Sequence, residues 1–161
     1  MKLKELFNPR YDLDRVAMEC EHCSSIILGT YLGYPMSIVQ EYINRVIRME
    51  RLIDQGVPDE EILDHEPFPD SSFIGTGFIP VGRDLNITPE RMLRMINRRR
   101  YHNKPMTLDV ADAELDDNFF DKIVQLINTD KKFHDQCVRN IRKIKSRVPE
   151  IRINLEDYRL T

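Results

Sequence analysis

Apolar residues recur along most of this chain at steps of three and four, the spacing of one face of an α-helix. Leu13, Val16, Cys20, Cys23, Ile27 and Tyr31 trace a first long helix, which Gly33-Tyr34-Pro35 breaks. Ser37, with Gln40 three residues on, reads as a capping box for a second helix. That helix turns Val39, Tyr42, Ile43, Val46, Met49 and Ile53 inward and stops at Gly56, before Pro58. Asp59 to Asp64 forms a short acidic turn with helical character.

The period is lost from Glu66 to Ile87, where Pro67, Pro69, Gly75, Gly77, Pro80 and Gly82 punctuate the chain. Residues 66–87 are therefore expected to be irregular, and long irregular segments in compact domains tend to carry function. Phe68, Phe73, Phe78 and Ile79 within it would form a docking patch or tuck the loop onto the core. Helical pattern returns at Thr88-Pro89-Glu90, with Thr88 as cap and Pro89 at the first position, and ends at Asn103-Lys104-Pro105. Asp116 or Asp117 would cap a helix holding Phe119, Phe120, Ile123, Val124 and Ile127. Thr129-Asp130 supplies the cap of a last helix whose seam is Phe133, Cys137, Ile141, Ile144 and Val148. Pro149 stops it, and Ile151, Ile153 and Leu155 then alternate as in a strand that would pair with the 73–81 region. The expectation is a mainly α chain: one domain over 1–161, a bundle of four to five helices with at most a minor two-stranded sheet.

Composition adds limits rather than an identity. A chain of 161 residues with a formal charge of −3 is long enough for a hydrophobic core. No charged residue lies between His22 and Gln40, but Pro35 and the Ser, Thr, Gly and Tyr residues dilute that run too far for a membrane span. The N-terminus lacks the apolar stretch of a signal peptide, and three cysteines without an export signal point to a reducing, cytoplasmic setting.

Charge is blocky. Residues 89–104 carry six Lys or Arg against Glu90 alone, and residues 131–149 carry seven against Asp135 alone. Arg91, Arg94, Arg98 and Arg99 on one helix, with Arg139, Arg142 and Lys143 on the other, are the candidate phosphate contacts of a nucleic-acid-binding accessory protein. The competing account is two solvated faces balanced by the acidic blocks beside them, with Arg98 to Arg100 and Lys145 to Arg147 favouring their helix C-termini. The alternative is an adaptor, inhibitor or assembly subunit that docks through the 66–87 loop and these charged helix faces, which would suit an acidic protein surface.

Cys20-Glu21-His22-Cys23 and His134-Asp135-Gln136-Cys137 each place two soft ligands three residues apart. Cys20, Cys23, His134 and Cys137 together make a tetrahedral set that would suit a structural zinc ion joining the first and last helices. Cysteines on the apolar seams of helices also pack as small hydrophobes, and that reading stands beside the metal. His134-Asp135, with His102 upstream and Asp157 downstream, resembles the ligand order of metal-dependent HD phosphohydrolases. That resemblance covers four residues and implies a catalytic ion held by them. It competes with the zinc set for His134, so only one of the two can hold.

Overall fold

The computed structural model describes residues 2–7, 20, 22–65, 90, 93, 94, 96, 97, 119–151, 153 and 158–160. Within them the chain is mainly helical. Six helices run in order: α1 (Leu3–Phe7), α2 (Cys23–Leu32), α3 (Met36–Asp54), α4 (Asp59–His65), α5 (Phe119–Thr129) and α6 (Lys131–Arg147). Glu90, Leu93, Arg94, Ile96 and Asn97 are also helical, in the region where Thr88-Pro89 predicts a helix. The 66–87 segment, the start of that helix and the 73–81 partner of the expected sheet lie outside the described residues. Among those described there is no strand; the single β-bridge pairs Lys2 with Arg159. Ile151 and Ile153 are buried, but as irregular chain rather than as a ladder.

Helix α2 is the hub, packed against α1, α3 and α6, while α5 lies against α1 and α6. Its sequence explains that position. Ten residues without a charge bury Cys23, Ile26, Ile27, Leu28, Gly29 and Leu32, which fall on more than one side of the helix. A helix apolar all round has no face to give to water. Each aliphatic side chain so buried stabilises the fold by about 1.5–3 kcal/mol relative to exposure.

Local chemistry sets the helix ends. Gly33, at φ 76°, closes α2: its N–H bonds to the carbonyl of Thr30 at 3.2 Å and that of Tyr34 to Gly29 at 3.0 Å. Gly56, at φ 78°, does the same for α3, with Gly56 N–H to Ile53 and Val57 N–H to Leu52. Both are Schellman closures, for which the left-handed backbone favours glycine. Asp130 caps α6 by accepting from the Phe133 N–H at 3.1 Å.

Three expectations change. The described helix α2 begins at Cys23, and Cys20 stands outside it in irregular chain. The capping box at Ser37 is absent, because the helix starts one residue before it: Pro35 is the cap, and its carbonyl takes the first N–H bonds, from Ile38 and Val39. Gln40, freed from capping, instead accepts from Arg147 at 3.3 Å and links α3 to α6. Finally, Cys20 and Cys23, expected as free thiols or thiolate ligands, are joined as a disulfide. With Cys20 outside the helix, the Cα atoms stand 5.5 Å apart, within the reach of an S–S bond.

Candidate nucleic-acid interface

Helix α6 separates its residues cleanly. His134, Cys137, Asn140, Ile141 and Ile144 are buried against the bundle. Lys132, Arg139, Arg142, Lys143 and Arg147 are exposed on the other side. The cause is the heptad-like spacing: positions 132, 139 and 143 fall on one stripe, opposite 137, 141 and 144.

What matters for binding is how much of this charge is already neutralised. Lys131 is paired with Asp135 at 3.1 Å, and Lys145, half-buried, is turned to the Ile153 carbonyl. Arg139 donates to the neutral amide of Gln136 at 2.7 Å, and Arg147 to that of Gln40. Lys132, Arg142 and Lys143 make no ion pair among the described residues. Five exposed cations therefore share the outward side of α6 with no acid partner among the described residues. On α3, by contrast, Glu41 takes Arg45 and Arg48 at 3.1 and 3.5 Å, and Glu150 takes Arg51 at 2.6 Å. Those arginines are structural glue.

Behind the α6 cations runs a chain of side-chain hydrogen bonds. Arg139 donates to Gln136 Oε1, Gln136 Nε2 to Asn140 Oδ1 at 2.8 Å, and Asn140 Nδ2 to Thr30 Oγ1 at 2.8 Å. Thr30 completes it by donating to the Ile26 carbonyl at 2.8 Å. Asn140 is buried, and this chain satisfies both ends of its amide. No spacing along the chain hints at it: Gln136, Asn140 and Thr30 become partners only where α2 and α6 meet.

The second basic helix is placed differently. Arg94 is exposed, and Leu93 and Ile96 are buried, as the amphipathic pattern requires. Asn97 Nδ2 donates to Asp59 Oδ2 at 3.4 Å, so this segment lies against α4, whereas α6 packs on α2, α3 and α5. Arg91, Arg98 and Arg99 lie outside the described residues.

Cys20, Cys23, His134 and Cys137, the candidate zinc set, are all described, and no group of three or more His, Cys, Asp or Glu that could hold a metal ion is found among the described residues. Thr30 meets Asn140 and Tyr31 stacks edge-on with Phe133 at 6.2 Å, which sets the His134–Cys137 turn beside the C-terminal end of α2. Cys23 lies seven residues back, about 10 Å along the helix. Cys137 is free and fully buried, and burial pushes its thiol up to about 12. It packs as a small hydrophobe.

His134 and Asp135 do interact: Nδ1 and Oδ1 are 3.2 Å apart. Hydrogen bonds from His134 first, and from Lys131, hold the Asp135 carboxyl below the usual carboxylate range. The imidazole is turned inward, and its Nε2 is buried with no hydrogen-bond partner. The other two residues of the HD-like order, His102 and Asp157, lie outside the described residues. No helix among the described residues is long and apolar enough to cross a membrane. Comparison with protein-family models, curated proteins and solved structures returns no match to this chain.

Proposed function

We propose that this chain is a small, non-enzymatic accessory protein that contacts nucleic acid, or a nucleic-acid machine, through its basic helices. The observation that carries the reading is the set Lys132, Arg139, Arg142, Lys143 and Arg147 on α6, exposed and without an acid partner among the described residues. Unneutralised cations on a rigid helix release counterions when they meet phosphates, and this supplies most of the affinity of non-specific binding. The net charge of −3 does not oppose it, because much of the acid is elsewhere: Asp59, Glu60, Glu61 and Asp64 sit on α4. Arg94 is an exposed cation on a second helix.

The test is fluorescence anisotropy of labelled DNA and RNA oligonucleotides at low and moderate salt. Binding is expected to weaken steeply with salt and to be lost in Arg139→Glu with Lys143→Glu. Arg94→Glu with Arg98→Glu tests the second helix in the same way. Absent binding, or binding indifferent to salt, would sink the reading.

A further inference from the structure

Resting on that reading, we infer that the α6 face holds nucleic acid by its sugar–phosphate backbone, with no stacking of bases and no amide readout of adenine. Three features of the face lead there. The first is charge density: Lys132 and Arg147 are fifteen residues apart, roughly 22 Å of helix, and Arg139, Arg142, Lys143 and Arg147 crowd into about 12 Å of it. One nucleic-acid strand offers a phosphate about every 3.4 Å of duplex axis, a comparable line of charge.

The second is that the exposed face of α6 carries no aromatic side chain on which a base could stack. Sequence-tolerant single-strand binders that grip the bases do so with aromatic side chains. The exposed residues of α6 are Lys131, Lys132, Gln136, Arg139, Arg142, Lys143, Ser146 and Arg147, none of them aromatic. Phe133, the only aromatic residue of the helix, is half-buried and set edge-on against Tyr31.

The third is Gln136. It is the amide on this face that would pair with adenine through both its donor and its acceptor. Both are already committed: Oε1 accepts from Arg139 at 2.7 Å, and Nε2 donates to buried Asn140 at 2.8 Å. Breaking that amide's bonds would leave Asn140 unsatisfied in the interior, at a cost comparable to a buried polar group losing its partner. Gln136 therefore positions Arg139 rather than reading a base. Contacts to phosphate fix a protein on the strand and carry no sequence information.

The experiment is a salt titration of the whole protein on oligo-dT, oligo-dA, a mixed-sequence duplex and its RNA equivalent, with poly-glutamate as competitor. Affinities within about threefold across sequences of one strand type are expected. The slope of log K on log salt should approach about −3.5 for single strands and −4.5 for duplex, the values for five phosphates. Arg139→Gln with Lys143→Gln should reduce that slope by about 1.5 units. Both positions are exposed, and an unchanged circular-dichroism melt verifies that the variant is folded. A preference above tenfold for one sequence would overturn this inference and leave nucleic-acid contact standing. An unchanged slope in the double variant would move the site off α6 and overturn it equally. Poly-glutamate competing as well as nucleic acid would replace phosphate by an acidic polypeptide. No binding to any of the four would remove the proposed function, and this inference with it.

Discussion

Helices α2 and α6 lie against each other, yet they meet water in opposite ways. Helix α2 has no charged residue and is covered by α1, α3 and α6. Helix α6 has a single buried seam and turns outward five cations that have no acid partner among the described residues. The difference separates two jobs within one interface. Residues of α2 are chosen by packing, and nearly all of their free energy goes into holding the fold. Residues on the outer face of α6 lie away from the packed seam, and the proposed contact with a polyanion would account for their charge.

The sharpest way to break this contrast is truncation on each side. Ile27→Ala on α2 should lower the unfolding free energy by about 3–4 kcal/mol in urea denaturation, whereas Arg142→Ala on α6 should change it by less than about 0.5 kcal/mol. Equal costs at the two positions would refute the division of labour.

Raising the pH tests the seam where the two helices meet. The folded thiol of Cys137 titrates near 12, against an ordinary value of 9.0, because burial disfavours the thiolate. The unfolded chain therefore releases that proton first. Stability is fully present below about pH 9 and falls by roughly 1.4 kcal/mol per unit between there and the folded value. Tyr42, raised by burial and by Glu50, acts in the same direction at still higher pH. Cys137→Ala should flatten the alkaline limb of a stability–pH profile; an unchanged limb would mean that the thiol is open to water.

Reduction probes the other end of α2. A closed loop as short as Cys20–Cys23 is worth about 2 kcal/mol in the chain-entropy account. Urea midpoints with and without a reductant should differ accordingly, and a thiol titration of the unfolded protein should rise from one group to three.

The smallest effect belongs to Gly29, where α2 and α3 touch. A Cβ there would stand 2.6 Å from Val39 Cγ2, on a stiff β-branched side chain. Overpacking of this kind costs about 1–3 kcal/mol, and the better helix propensity of alanine returns about 1 kcal/mol. Gly29→Ala should thus destabilise by about 1 kcal/mol, and adding Val39→Ala should relieve the clash in a double-mutant cycle.

Much of the fold was legible before any coordinates. The glycine stops at Gly33 and Gly56, the Asp130 cap and the Cys137–Ile141–Ile144 seam all follow from interactions within about five residues. Residue type and spacing suffice for such features. The exposed positions of Arg94, Arg139, Arg142 and Lys143 followed from the same periodicity. Ser37 misled because a capping box and the opening residues of a helix capped by proline present the same pattern, and only the backbone at Pro35 distinguishes them.

By itself the sequence determined that this chain makes amphipathic helices, where several of them end, and which face of the last one carries charge. Each of those is a local property, set by φ preferences, hydrogen bonds near in the chain and the 3.6-residue period. Tertiary structure alone decided the register of α2 on α6. That register placed Cys23 about 10 Å along its helix from the Thr30 contact with α6 and joined Thr30 to Asn140 and, through Gln136, to Arg139. It also decided which cations keep a free charge, since an arginine is neutralised by whichever acid the fold brings near, as Glu150 is brought to Arg51 across 99 residues. Such pairings depend on the whole packed arrangement, and no spacing along the chain encodes them.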